Sequence, residues 1–291
     1  MTKLAQLESY IAYQKSTDKS PDTLASYHSD LQQFAKWFTY INKLEMRLHH
    51  ITPTDLRQYK QYLLDAKRKP QTINRHLLSL KYFLNWGFDT KKIKHRLPLP
   101  QTVKQSQSIP KWLNRLQQNQ LLRQVERYGS KRDMAIIKVL LNTGLRVSEL
   151  CSIKWSDINI SDRKGKLRVN AGKGGKYREV PLNQDARNAF VDIGYKTEAD
   201  SEVLVFNGQR GPLSPRGIQL MLKRLNILEG ISPHQLRHSF CKNLVDAGVS
   251  LEKVAYLAGH ERLDTTKLYC QPSFTDLELA VERIGELDTC V

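Results

Sequence analysis

The sequence predicts two domains, an all-α domain over residues 1–95 and a mixed α+β domain over residues 111–291. Apolar side chains recur at helical spacing in the first region, whereas short runs with strand-like alternation occur only between about residues 157 and 206. A basic, proline-containing stretch at 96–110 predicts a linker between them. The 291 residues are enough to bury a core in each domain.

Four helices account for the first domain. The first ends at a polar break, and Ser20 followed by Pro21 predicts the start of the second, because serine caps a helix and proline fits its first turn. Thr52 followed by Pro53 predicts the third start in the same way, and the fourth helix begins near Gln71. We expect the aromatic residues of these helices to form the core.

The second domain mixes helices and strands. We expect helices at 116–128, 132–141, 147–155, 185–193, 215–225, 234–246, 251–257 and 265–270. We expect strands at 157–160, 167–170 and 177–182, and a further extended run at 203–206. Residues 172–176, Gly-Lys-Gly-Gly-Lys, predict the hairpin turn between the second and third strands, since glycine tolerates positive φ.

The chain is strongly basic. Lys and Arg number 46 against 29 Asp and Glu, a net charge of +17, and residues 1–110 hold 18 of the basic and 8 of the acidic residues. Such an excess favours a polyanionic partner, nucleic acid first, over a basic surface without that role. On the fourth helix, a polar face lies away from the apolar stripe, and we expect it to enter a DNA groove or to be solvated: Asn74, Arg75, His76, Ser79 and Lys81.

Several classes of protein are disfavoured. The four cysteines form neither a CxxC pair nor a disulfide framework, so we expect no zinc site and a reducing compartment. No apolar run approaches the ~18 residues of a membrane span, and the N-terminus lacks a signal-peptide core. We therefore expect a soluble cytoplasmic protein. Neither an acidic cluster for Mg²⁺ nor a Walker loop occurs, so we expect no metal and no cofactor.

Five residues stand out as a candidate site. His234 and Arg237 lie three apart on a predicted helix, so both side chains can point at one anion. His260 follows in Leu-Ala-Gly-His, Tyr269 comes nine residues later, and Arg146 stands beside a predicted helix break. Each residue alone is weak evidence for a functional site, so the prediction depends on the five residues taken together.

These residue types suit attack on a phosphodiester, which requires a nucleophile, cations for the non-bridging oxygens and a proton donor for the leaving oxygen. The planar guanidinium groups of Arg146 and Arg237 can each give parallel hydrogen bonds to phosphate. Tyr269 is the one member of the set able to form a covalent ester. We expect Lys173, at the hairpin tip, to protonate the leaving 5′ oxygen, and His238 to point away from Arg237.

The joint pattern resembles the tyrosine recombinase (phage integrase) family, and within it the Xer-like recombinases and transposon resolvases. Residues 20–34 also look like the opening of that family's core-binding domain. The resemblance is carried by residues 143–150 (Thr-Gly-Leu-Arg-Val-Ser-Glu-Leu), 172–174 (Gly-Lys-Gly), 234–238 (His-Gln-Leu-Arg-His), 257–260 (Leu-Ala-Gly-His) and Tyr269.

The resemblance implies a C-shaped clamp on DNA, made of a helical, SAM-like core-binding domain and an α+β catalytic domain. It also gives each candidate residue a role, with Glu149 as a supporting residue. Tyr269 would form a 3′-phosphotyrosyl link, Arg146 and Arg237 would bind the scissile phosphate, Lys173 would be the general acid, His234 would be the acid/base partner of Tyr269, and His260 would hydrogen-bond the phosphate.

The resemblance further implies a double-stranded DNA core site as partner and a homotetramer that exchanges strands through a Holliday junction, without metal or ATP. An apolar stripe in the tail would form a helix that docks on the neighbouring protomer, or else folds back on its own domain: Phe274, Leu277, Ala280, Val281, Ile284 and Leu287. Two rival functions are a catalytically silent DNA-binding regulator and a type IB topoisomerase. The sequence leaves open the target site, the choice among resolution, integration and excision, and the need for an accessory protein or sister recombinase.

Overall fold

The computed structural model describes residues 5–17, 19–105, 110–170, 177–195, 201–208, 211–225, 230–260, 262–270, 278 and 281–282. The chain divides into two compact units, residues 1–107 and residues 108–291. The first unit is built from helices, and the second combines helices with small antiparallel sheets. The predicted fold class, an all-α domain followed by a mixed α+β domain, is therefore confirmed.

Four α-helices form the described part of the first unit, together with a 3₁₀ turn at Leu48–His50. They are α1 (Ala5–Lys15), α2 (Pro21–Asn42), α3 (Pro53–Asp65) and α4 (Pro70–Asp89). Both predicted caps are present, since Ser20 Oγ accepts a hydrogen bond from the Thr23 N–H and Thr52 forms a reciprocal capping box with Asp55. The prediction of four helices is confirmed.

Aromatic side chains form the core of the first unit. Phe34 on α2 meets Tyr59 on α3 edge to face, with ring centroids 4.9 Å apart. Tyr10 on α1 meets Phe83 on α4 in the same manner at 5.2 Å. All four rings are fully buried, and edge-to-face pairs add to the stabilisation that burial of large rings provides. The core thus joins all four helices.

The polar face of α4 differs from the prediction. His76 and Ser79 are buried, neither solvated nor available to a DNA groove. Ser79 Oγ donates to the buried Asp30 carboxylate on α2 at 2.8 Å, Arg75 donates to it at 2.5 Å, and His76 Nε2 lies 3.3 Å away. A buried carboxylate is unfavourable unless such donors surround it. The prediction was wrong for His76 and Ser79, because these residues bind α4 to α2.

The stretch after α4 packs on the first unit. Asn74 Nδ2 donates to the Val103 carbonyl at 2.9 Å, and the Val103 N–H donates to Asn74 Oδ1 at 2.8 Å. Leu97, Leu99 and Val103 also contact the core of this unit. Part of the expected linker is therefore held against the helical unit.

The second unit has more elements. Its helices in the described ranges are α5 (Arg115–Tyr128), α6 (Lys131–Thr143), α7 (Val147–Cys151), α8 (Gln184–Asp192), α9 (Pro215–Arg224), α10 (Pro233–Asp246), α11 (Leu251–Ala258) and α12 (Asp264–Lys267). Its strands there are β1 (Ile158–Ile160), β2 (Gly165–Asn170), β3 (Tyr177–Pro181), β4 (Asn207–Gly208) and β5 (Gly211–Pro212). The helix expected to begin at Val147 is short and gives way to a 3₁₀ turn at Trp155–Asp157.

The core of the second unit surrounds α6, which packs against α8 and α10. Strands β1, β2 and β3 form an antiparallel sheet in chain order, with Leu167 opposite Ile158 on one side and Val180 on the other. The three predicted strands are confirmed. The predicted turn between β2 and β3, with Lys173 in it, lies outside the described residues.

The segment at residues 262–270 carries the candidate nucleophile. The helix expected at 265–270 is α12 followed by a 3₁₀ turn at Leu268–Cys270. The predicted exchange helix lies outside the described residues, apart from positions 278, 281 and 282. None of the helices in the described part of the chain is long and apolar enough to cross a membrane.

Candidate active site

Helix α10 brings four polar side chains towards one region. Pro233 occupies its first turn, and the Ser232 N–H donates to Gln235 Oε1 at 2.8 Å, which fixes the start of the helix. His234, in the first turn, is exposed. Arg237, one turn later, is buried and donates from Nη1 to the Gly144 carbonyl at 2.8 Å. His238 and Cys241 follow on the same helix.

Arg146 lies where α6 gives way to α7. Gly144 ends α6 in the left-handed region, at φ +62°, and Arg146 is the residue that caps α7. Its Nη1 donates to Glu149 at 2.8 Å and its Nη2 to the Gly259 carbonyl at 2.6 Å. The side chain is still 45% exposed. The guanidinium is thus oriented by the protein and open to an incoming anion.

Glu149 and Arg178 form a buried ion pair behind Arg146. Arg178 Nη1 and Nη2 lie 3.0 and 2.9 Å from the two carboxylate oxygens, and its Nε donates to the Leu257 carbonyl at 3.1 Å. Burial alone would raise the pKa of Glu149, but hydrogen bonds from Arg178 and Arg146 outweigh it and hold that pKa below its usual value. The carboxylate therefore stays ionised and binds two arginines at once.

His260 follows the glycine that ends α11. Gly259 has φ +68°, and His260 Nδ1 lies 2.8 Å from Thr266 Oγ1. The imidazole ring is parallel to the Tyr269 ring, with centroids 6.3 Å apart. Burial, together with the charges of Arg237 and Arg146, lowers the pKa of His260 to about 4. The ring is therefore neutral near pH 7 and close to both arginine charges.

Tyr269 is 1% exposed, in the 3₁₀ turn after α12. Its hydroxyl lies 2.6 Å from Nδ1 of His238, and Cys241 is a close neighbour. Burial and the neighbouring Cys241 raise the pKa of Tyr269 above its ordinary value. Burial, with His234 and Arg237 close by, lowers the pKa of His238 to about 4. At neutral pH the phenol and this imidazole are both uncharged.

The structure gathers most of the predicted residues. Arg146, Arg237, His260 and Tyr269 meet where α6, α10 and α11 end or begin, linked by the contacts given above. His234 shares α10 with Arg237 but is exposed, and Lys173 lies outside the described residues. Among the described residues, no three His, Cys, Asp or Glu side chains cluster closely enough to hold a metal ion.

Sequence reasoning assigned no function to His238 or Arg178. His238 comes four residues after His234, so helical spacing places the two on one face, a signal that was present but not used. Arg178 occupies a buried position on β3, two residues before the buried Val180. An arginine at an inward strand position is a signal for a buried acidic partner.

Comparison with known proteins identifies both units. The profile described as "Phage integrase family" matches residues 111–276, and "Phage integrase, N-terminal SAM-like domain" matches residues 7–91. The chain is 30% identical over 282 residues to the TnP I resolvase of Bacillus thuringiensis, covering 94% of this chain and 97% of the relative. It is 33% identical over 266 residues to tyrosine recombinase XerD of Shewanella oneidensis, covering 86% of each chain.

Solved structures share the fold. The Tn1549 transposon integrase in complex with circular intermediate DNA matches with a TM-score of 0.71 at 20% identity, over 97% of this chain and 99% of that one. The XerH recombinase bound to its difH substrate also gives a TM-score of 0.71 at 20% identity, over 97% and 84%. Because both domain profiles match in order and relatives align over nearly the whole length, this chain belongs to the phage integrase family and is a site-specific tyrosine recombinase, an enzyme that breaks and rejoins DNA.

Proposed function

We propose that this recombinase cleaves its DNA site with Tyr269, through a 3′-phosphotyrosyl link. In this proposal the other catalytic residues are Arg146, Lys173, His234, Arg237 and His260. The observation that carries it is the meeting of two arginines and a neutral histidine around one buried phenol. Neither arginine is fully neutralised by its described contacts, so the site has positive charge available for a phosphate.

The two arginines support the assignment of a phosphate site. Burial, and after it the charge of Arg146, lowers the pKa of Arg237, so the two cations repel each other. A phosphate bound between them would relieve this repulsion and accept hydrogen bonds from both. In the transition state of an in-line displacement, the same donors would stabilise the charge on the non-bridging oxygens.

The remaining roles concern protons. Lys173 protonates the leaving 5′ oxygen, His234 is the acid/base partner of Tyr269 that the resemblance implies, and His260 hydrogen-bonds the phosphate. The ester stores the energy of the broken bond, so neither ATP nor a metal is needed to reseal the strand. Arg146 and Arg237 remain charged throughout, since guanidinium stays protonated in proteins.

The proposal extends to the assembly on DNA. The partner is a double-stranded core site, on which four protomers exchange C-terminal helices and pass through a Holliday junction to resolve, integrate or excise DNA. One similar structure, described as a lambda integrase dimer bound to a COC′ core site, supports the choice of a core site. We place this activity in the bacterial cytoplasm, at the nucleoid.

Covalent trapping tests the proposal. The protein is incubated with DNA selected for tight binding and nicked beside the cleavage position, so that the cleaved end diffuses away and religation stops. We expect a protein–DNA band on a denaturing gel that Tyr269→Phe abolishes and that Arg146→Ala and Arg237→Ala strongly reduce.

Other outcomes favour other functions. Tight binding without a band, even after a sister recombinase is added, would favour a DNA-binding regulator. A band accompanied by relaxation of plasmids that lack the selected site would favour a type IB topoisomerase. Trapping that appears only with a second recombinase or an accessory protein would place this chain in a mixed assembly.

A further inference from the structure

We propose that His238 accepts the Tyr269 proton when the tyrosine attacks the scissile phosphate. The inference rests on the proposed role of Tyr269 as nucleophile and transfers the role of proton acceptor from the exposed His234 to His238. The phenolic oxygen and His238 Nδ1 are 2.6 Å apart, and the ring centroids are 5.7 Å apart at 49°. Among the described residues, this is the imidazole that touches the reacting oxygen.

The surrounding geometry separates His238 from the other two histidines. The His260 ring lies parallel to the Tyr269 ring, and its Nδ1 hydrogen-bonds with the Thr266 hydroxyl. His234 is exposed in the first turn of α10. His238 lies between the buried Arg237 and the buried Cys241 on the same helix, so the element that positions a phosphate-binding arginine also positions the proton acceptor.

The buried phenol needs such an acceptor. Burial raises the pKa of Tyr269, so the phenolate does not form unaided at neutral pH. A general base must lie within hydrogen-bond reach of the proton it takes, about 2.6–3.2 Å, and the contact with His238 meets this condition. The ring is neutral at this pH, and in the tautomer protonated at Nε2 its Nδ1 has a free lone pair.

The proposed step balances. The Tyr269 O–H bond breaks and its proton moves to His238 Nδ1, while an oxygen lone pair forms the new O–P bond. The bond between phosphorus and the 5′ oxygen breaks, and the leaving oxygen takes a proton from the general acid proposed above, Lys173. In resealing, His238 returns its proton to the departing phenolic oxygen.

Bound DNA would make His238 a stronger base. Burial and the neighbouring His234 and Arg237 lower the pKa of His238 to about 4 in the free protein. A phosphate at Arg237 would offset that cation and raise the pKa of His238 towards its ordinary range. The titratable groups that face this ring from its own helix and from the elements packed against it are His234, Arg237, Cys241, His260 and Tyr269.

Paired variants separate a base from a mere hydrogen-bond partner. In His238→Asn the side-chain oxygen occupies nearly the position of Nδ1, so an acceptor remains but its basicity is lost, whereas His238→Ala removes both. Single-turnover cleavage of a nicked substrate should fall about a hundredfold or more in both variants. DNA affinity and the thermal midpoint are measured alongside, and if His238→Ala does not fold, His238→Asn carries the test.

Three further measurements identify the proton that is affected. Incorporation of 3-fluorotyrosine at position 269, which lowers the phenol pKa, should restore cleavage in His238→Asn more than it speeds the parent. Cleavage by His238→Asn should also rise with pH across the neutral range, whereas the parent should be nearly flat. A substrate with sulfur at the bridging 5′ position needs no general acid, so it should rescue Lys173→Ala and leave His238→Asn slow.

Some results would overturn the assignment. If His238→Asn cleaves DNA as fast as the parent protein, the contact between His238 and Tyr269 is a hydrogen bond without a role in proton transfer. If His238→Ala cleaves faster than the parent protein, the contact restrains the tyrosine. If the substrate with bridging sulfur restores cleavage by His238→Asn, His238 donates a proton to the leaving group. If the parent forms no adduct that Tyr269→Phe removes, the proposed nucleophile fails, which is a different result from slow cleavage in the His238 variants alone.

Discussion

Glu149 connects three parts of the candidate active site through one buried carboxylate. It accepts from Arg146 on the side facing the candidate phosphate site and from Arg178 on β3 behind it. Arg178 also binds the Leu257 carbonyl, and a side chain at Gly259 would lie 2.7 Å from its guanidinium. The position of His260 after α11 therefore depends on the same pair that orients Arg146.

Replacement of Arg178 should damage the site more than its distance from the reacting atoms suggests. Arg178→Lys keeps the charge but loses both the two-pronged contact with Glu149 and the bond to Leu257. We expect cleavage to fall at least tenfold and the free energy of unfolding to drop by about 3 kcal/mol, since breaking one side of a buried ion pair typically costs 3–5 kcal/mol. Denaturant unfolding and single-turnover cleavage provide the two readouts.

Arg168 on β2 offers a matched control, because its side chain is 54% exposed and its ion pair with Asp157 is long, at 4.0 Å. Arg168→Lys should change neither quantity, as exposed pairs contribute little. A double variant, Glu149→Gln with Arg178→Gln, should recover part of the lost stability by removing both charges, without recovering cleavage. Equal effects of Arg178→Lys and Arg168→Lys would contradict the role given to the buried pair.

Residue types and spacing were sufficient to single out Arg146, Arg237, His260 and Tyr269 as candidates, because each stands in a short local pattern. They did not indicate Arg178, whose contact with Glu149 joins positions 29 residues apart. The contact between His238 and Tyr269 spans 31 residues. Such partners become apparent only when packing brings their elements together, since a hydrogen bond between distant elements produces no repeating pattern in the sequence.

Helix ends were predicted better than helix faces. The caps at Ser20 and Thr52 depend on residues within one turn, so local chemistry determines them. The polar face of α4 was predicted wrongly because Asp30, which lies 45 residues before Arg75, neutralises it from another helix. Lys173 lies outside the described residues, so its proposed role depends on the sequence and the family resemblance.

Gly144 shows how a helix end can shape the candidate active site. It ends α6 in the left-handed region, and its carbonyl accepts from Arg237. A Cβ at this position would lie 2.2 Å from Phe240 Cδ1, a distance at which the α10 ring must move. The turn therefore requires glycine both for its backbone conformation and for the close approach of α10.

Gly144→Ala should accordingly cost more than a strained backbone alone. Gly248, with φ +76° and open space around it, isolates the backbone part. We expect Gly248→Ala to lose about 1–2 kcal/mol of unfolding free energy, and Gly144→Ala to lose a further 1–3 kcal/mol through overpacking. Cleavage should fall in Gly144→Ala alone, because Arg146 and Arg237 both adjoin this turn. Equal losses in both variants, measured by denaturant unfolding, would show that the contact with Phe240 is unimportant.

The charge of the whole chain is distributed over both units. Residues 1–110 carry 18 basic and 8 acidic residues, and the rest of the +17 belongs to the second unit. Most of these cations cannot be catalytic, since the proposed chemistry uses two arginines and one lysine. Their excess therefore points to contacts along the DNA backbone, which position the protein without reading sequence.

Salt should for this reason control DNA affinity more than any single side chain does. Each phosphate contact contributes a slope of about −0.9 to the plot of log affinity against log salt, and about six to ten contacts would weaken binding by roughly 10³–10⁵ between about 50 and 200 mM salt. Fluorescence anisotropy on a short duplex provides the slope. Arg146→Ala should make it shallower by about one contact, whereas Tyr269→Phe, which removes no charge, should leave it unchanged. A flat response in the parent protein would mean that its basic residues do not contact the backbone, and the link from composition to DNA binding would then be lost even if covalent cleavage were observed.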